Sequence, residues 1–174
     1  MEKIFRLDTW KVFALTILPF LFPDSEFGFC LDFAYLIFCL CWYYYLAYEL
    51  FIRLPEEHDM NFKKFKFHFF FPLIYFSIAI FFTGGGYSIT LNNMDKYGPT
   101  GDLMVALHLF SMYCIFYCLY FIARILVIVK RQEDNLKISD YIGYFFALWL
   151  MPIGIWFIQP VLKQIFIAEE DNNS

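Results

Sequence analysis

The residues of this chain best suited to chemistry are acids and bases set within long apolar runs. Asp32, Tyr35, Cys39, Trp42, Leu46, Glu49 and Arg53 recur at spacings of three and four, which places them on one face of a helix. A carboxylate inside a bilayer is costly and turns towards protein or water. Both acids sit near the ends of their run, where a long side chain reaches the interface. Two readings follow. The stripe packs inward and Glu49 pairs with Arg53 one turn on, or the stripe lines a polar path. Tyr113, Tyr117, Tyr120 and Arg124 form a second stripe, with Ser111, Cys114 and Cys118 beside it. Leu109, Met112, Ile115, Phe116, Leu119 and Ala123 fall on the opposite, lipid-like side. A tyrosine hydroxyl that leaves water needs a partner, which aims the second stripe at the first. The expected meetings are Glu49 with Arg124, with Arg53 competing for the carboxylate, and Asp32 with His108 at the other end.

The remaining constellations promise less chemistry. His68 and His108 open runs on opposite sides of a membrane, so they cannot share a haem iron. Pro55-Glu56-Glu57-His58-Asp59 is rich in ligand atoms but reads as a solvated loop, and no metal site is assigned. Gly84-Gly85-Gly86 lacks the lysine and the strand–helix setting of a phosphate loop; it ends a helix. Pro152, Gly154 and Pro160 predict a kink, with a broken helix of the kind that lines transport sites as the alternative. Gly143 and Ala147 suit close helix packing. The five cysteines lie in or beside apolar runs and act as small hydrophobes. No serine–histidine–acid set, nucleotide motif or paired acidic site occurs. No catalytic or cofactor-binding residue and no cofactor is therefore assigned, and an enzyme is the less favoured class.

The elements that must position these residues are apolar helices. Of 174 residues, 61% are hydrophobic and 24% aromatic, more than a single soluble core of this size can hide. A bilayer lifts that limit. The apolar runs cover residues 10–22, 29–52, 67–83, 103–129 and 141–158. The expected fold is an all-α polytopic transmembrane bundle in one membrane domain. It has four clear spans plus a short N-terminal span or interfacial helix, ending in a flexible acidic tail at 168–174. The basic flank and short first run resemble a signal peptide, but Phe22-Pro23-Asp24-Ser25-Glu26 offers no small-residue cleavage site, so the segment is expected to be retained. Lys and Arg alternate between rich and poor loops in step with five crossings. By the positive-inside rule this puts the N-terminus in the cytoplasm and the C-terminus outside. A re-entrant path at Pro152 and Pro160 would return the C-terminus inside. The net charge of -4, with no dense basic stretch, gives no footprint for nucleic acid.

Met112-Tyr113-Cys114-Ile115-Phe116-Tyr117-Cys118 with Tyr120-Phe121-Ile122-Ala123-Arg124 forms one distinctive stretch. Asp140-Tyr141-Ile142-Gly143 with Pro152-Ile153-Gly154-Ile155-Trp156-Phe157-Ile158-Gln159-Pro160 forms another. Together they resemble a group of small multi-pass bacterial inner-membrane proteins. The resemblance implies that setting and carries no activity and no residue role. The expected function is non-catalytic: an accessory or structural subunit acting by helix packing with itself or with a larger membrane partner. The alternative is a homo-oligomeric channel lined by the polar faces of the second and fourth runs. A transporter or intramembrane enzyme comes third.

Overall fold

The computed structural model describes residues 5, 8–17, 28–56, 58–83 and 94–173, with the side chains of 28–33, 80–83, 94–100 and 167–173 left undescribed. Among these residues the chain is all-helical, with six helices and no strand: α1 (Thr9–Ile17), α2 (Gly28–Phe51), α3 (Phe62–Thr83), α4 (Met94–Arg131), α5 (Ile138–Trp149) and α6 (Met151–Asn173). Two of them are long and apolar enough to cross a membrane, over Ala34–Phe51 of α2 and Gly101–Arg131 of α4. The part of the first run beyond Ile17 and the triple glycine lie outside the described residues. The acidic tail expected to be flexible continues α6 as far as Asn173.

Local chemistry explains where several helices start and stop. Asn61 begins α3 by accepting the N–H groups of Lys63 and Lys64 on its side-chain oxygen, at 2.9 and 3.2 Å, which satisfies two donors that have no partner inside the helix. Asp140 does the same for α5, accepting the Lys137 N–H at 2.8 Å. Helix α4 ends without a glycine. Gln132 takes the left-handed conformation (φ 55°), and its side chain donates to the Val129 carbonyl at 2.8 Å. That bond offsets part of the roughly 1 kcal/mol that a side chain costs in this conformation.

The chain divides into two compact units, Met1–Met60 with Leu119–Ser174, and Asn61–Cys118. In the first, the core is the C-terminal third of α4. Phe121, Ile122, Ala123 and all five residues from Ile125 to Val129 are buried, and a helix that is apolar all round must be covered all round. This corrects the expectation for Leu119 and Ala123. They are buried rather than lipid-facing, because at this level of α4 no side is left open. Higher up, Leu109, Met112 and Ile115 are exposed as expected.

Also in the first unit, α1 runs antiparallel to α6. Phe5 stacks on Phe166 at 5.0 Å, Asp8 binds Lys163 at 3.2 Å, and Phe13 meets Trp156 at 5.4 Å. Phe5 is fully covered, lying also against Trp42 and Tyr45 of α2. Its carbonyl accepts from the buried Gln159 amide at 3.0 Å.

The run 141–158 is not one kinked helix. It is broken at Leu150, whose backbone (φ −94°, ψ 51°) leaves the helical region. Beyond the break the chain turns so sharply that a Cβ on Gly154 would lie 1.7 Å from the Ala147 carbonyl oxygen. Residues seven apart in one continuous helix would be about 10 Å apart along its axis. The second unit is an antiparallel pairing of α3 with residues 94–118 of α4, built on rings: Phe71 on Phe110 at 4.8 Å and Phe76 on His108 at 5.6 Å. The Tyr75 hydroxyl donates to the Met104 carbonyl at 3.1 Å.

Candidate functional site

The polar residues of the first unit gather where α2 ends and α4 emerges. Phe51 stacks on Phe121 at 6.5 Å, which holds the last turn of α2 level with the Arg124 turn of α4. Of the α2 stripe, Trp42, Leu46 and Glu49 are buried, while Tyr35, Cys39 and Arg53 are half-buried. Glu49 pairs with Arg53, and the same guanidinium also donates to the Glu49 carbonyl at 2.8 Å and lies 4.4 Å above the Phe166 ring. A cation over an aromatic face in a desolvated spot adds to what holds α6 here.

Arg124 does not take the Glu49 carboxylate. It pairs with Asp59 at 3.0 Å and Asp134 at 3.2 Å, and donates to the Tyr120 hydroxyl at 3.3 Å. The physical reason is local. Arg53 reaches Glu49 within one helical turn, while Arg124 lies between two loops that each bring an acid to it. Tyr120 packs edge-on against Tyr141 of α5 at 5.6 Å. Arg124 thus fastens the loop after α2 and the loop before α5 to one point on α4. Asp59 and Asp134 were missed as its partners. The signal was available in outline, because both loops are placed on the Arg-rich side by charge alone.

Elsewhere in this unit the break at Leu150 is served by α2. The Tyr43 hydroxyl donates to the Leu148 carbonyl at 2.6 Å, and the Cys39 thiol points at the Met151 sulfur at 3.6 Å. A helix end frees carbonyls that need partners away from water, and Tyr43 supplies one. At the solvent end of α5, the Asp140 carboxyl is held below the usual carboxylate range by the Lys137 N–H first and then by Arg131, at 3.1 Å. Asp8 is lowered likewise by its hydrogen bonds from Lys11 and then Lys163.

In the second unit, Tyr113 and Tyr117 meet His68 of α3, at 5.9 and 4.1 Å between ring centres, where the sequence aimed them at the α2 stripe. His68 Nδ1 lies 2.7 Å from the Lys64 carbonyl, so that nitrogen carries the proton. His108 sits between Tyr75 and Phe76. The side chain of Asp32, its expected partner, is outside the described residues. His68 and His108 stand about two turns apart along the α3–α4 pair, and no group of three or more potential metal ligands occurs among the described residues. His58 lies edge-on to Phe51 at 5.4 Å, and Asp59 is committed to Arg124.

The arrangement fixes loops and helix ends to one another. Its acids and arginines face each other, which holds structure. No protein-family model, no curated protein and no solved structure matches this chain.

Proposed function

We propose that the chain is a non-catalytic multi-pass membrane protein, in the bacterial inner-membrane setting its resemblance implies, that works by packing against a second copy or a larger membrane partner. One observation carries the reading: every helix from α2 to α6 presents large apolar side chains outward. Ile74, Leu109 and Phe157 are 59%, 64% and 66% exposed. Apolar surface of that extent is stable only against lipid or another protein. The buried α2 stripe favours packing over a pore lined by that face.

The path proposed has α2 and α4 crossing in the same direction, with α1 and α3 carrying the chain the other way and α5 and α6 as a re-entrant hairpin. Helix α5, of 12 residues, is about 18 Å long and too short for a hydrocarbon core of about 30 Å. The return of α6 to the level of Phe5 and Arg53 supports a C-terminus on the same, cytoplasmic side as the N-terminus. The test is alkaline carbonate extraction of native membranes, followed by native mass spectrometry after gentle solubilisation. Retention in the membrane and a complex with itself or a larger protein are the expected results. A chain released by carbonate, or one that stays a lone monomer, overturns the proposal.

A further inference from the structure

The V between α5 and α6 leaves a groove of about 530 Å³. Phe146, Leu150, Ile153 and Phe157 wall it, and Gly143 and Gly154 form part of its floor. Three of the four wall residues are more than half exposed, so the groove opens sideways from the protein. Its volume falls within the roughly 300–1,000 Å³ of ligand clefts. It is apolar along its length and polar at one end, where Ser139, Asp140 and Tyr144 line it.

The lining of that end holds one acid and no base, and a lysine stands beside it against Tyr144. The Lys130 ammonium lies 3.3 Å from the Tyr144 hydroxyl and over the Tyr144 ring, and it has no carboxylate partner among the described residues. The one acid at the mouth is already engaged: Asp140 Oδ1 holds Arg131 and Oδ2 holds the Lys137 N–H. An anion arriving there meets an unneutralised ammonium and two hydroxyls, with a greasy slot about 18 Å long running away from them.

We propose that this groove binds one anionic phospholipid, its acyl chain along α5 and α6 and its phosphate at Lys130, Ser139 and Tyr144. The proposal rests on the membrane reading above. Three features support it together: the apolar groove open to the side, the single polar end, and the uncompensated lysine beside that end. A helix of a second copy is about 10 Å across with its side chains, and seating one here would leave Lys130 facing an apolar partner.

The experiment uses full-length protein delipidated in neutral detergent. It is titrated with phosphatidylglycerol or with phosphatidylcholine of the same acyl chains, and bound lipid is counted by native mass spectrometry. The unsubstituted protein retains one phosphatidylglycerol in preference. Lys130→Gln weakens phosphatidylglycerol about fivefold, the contribution of one interfacial lysine, and leaves phosphatidylcholine unchanged. Gly143→Leu fills the groove and weakens both lipids about tenfold, as overpacking a fitted space does. A Cβ at Gly143 meets nothing within 4 Å, so the variant is expected to fold. Lys130→Gln, at an exposed position, carries the test alone if it does not. Equal binding by all three proteins overturns the proposal. So does a dimer that Gly143→Leu abolishes while lipid binding stays intact, because that outcome assigns the groove to a second copy. A carbonate-resistant protein with no lipid preference sinks the groove alone, whereas a carbonate-soluble one sinks the membrane reading beneath it.

Discussion

Glu49 has Arg53 one turn on, just past the end of its helix, and Arg124 at the same level of α4, and it takes the nearer. The choice has energetic consequences. Both Glu49 and Arg53 are largely buried, with side chains 11% and 14% exposed. Arg53→Met would leave a buried carboxylate uncompensated, at a cost of about 3 kcal/mol. Arg124→Met should cost less, about 1 kcal/mol, because Asp59 is 65% exposed and regains water when released. Unfolding of the two variants in mixed detergent and sodium dodecyl sulfate measures the difference, and equal costs would refute the ranking. Asp140 adds a pH dependence. Its carboxyl is depressed in the folded chain, so the stabilisation it gives is present above the ordinary carboxylate range near 4 and is lost as pH falls through the lower, folded value. Amide exchange at Lys137 and Ser139 should be steady from pH 7 to 5 and rise at more acidic pH once intrinsic rates are removed. A flat profile into the acid range would sink that assignment.

At the scale of elements, the break at Leu150 is the feature on which the C-terminal part turns. It needs a residue without a side chain at Gly154, because the Ala147 backbone occupies the place of a Cβ. It also needs a donor for the Leu148 carbonyl, which Tyr43 provides. Gly154→Ala should destabilise by about 1–3 kcal/mol, as overpacking against fixed backbone does. Gly143→Ala, one step down the same groove but facing open space, should be neutral or stabilising by up to about 1 kcal/mol, since alanine is the better helix former. The pair is an internal control, and thermal unfolding in detergent reads both. Comparable losses at the two positions would mean that the close approach at Leu150 does not exist in the membrane.

The whole molecule is decided by where its ends lie. Phe5, Arg53 and Phe166 sit together in the first unit, so a path that leaves the C-terminus on the far side must pull Phe166 away from both. Reporter fusions of green fluorescent protein and alkaline phosphatase at each end are expected to place both termini in the cytoplasm. An active phosphatase at the C-terminus would restore five crossings and undo the hairpin.

Helicity, the apolar runs and the burial of Trp42, Leu46 and Glu49 on one face of α2 were legible in residue order, because each depends on periodicity within one helix. The Glu49–Arg53 pair was legible for the same reason: residues four apart meet without any loop having to close. The partners of Arg124, the ring contacts of His68 and the return of α6 were not. Each depends on which loops and helix faces meet, and chain periodicity carries no record of that. Pro152 and Gly154 marked the place of the break, since both weaken a helix there. Whether the chain would bend or turn back was decided by tertiary structure alone, through the contact of Gly154 with Ala147 and the hydroxyl that Tyr43 brings from another helix.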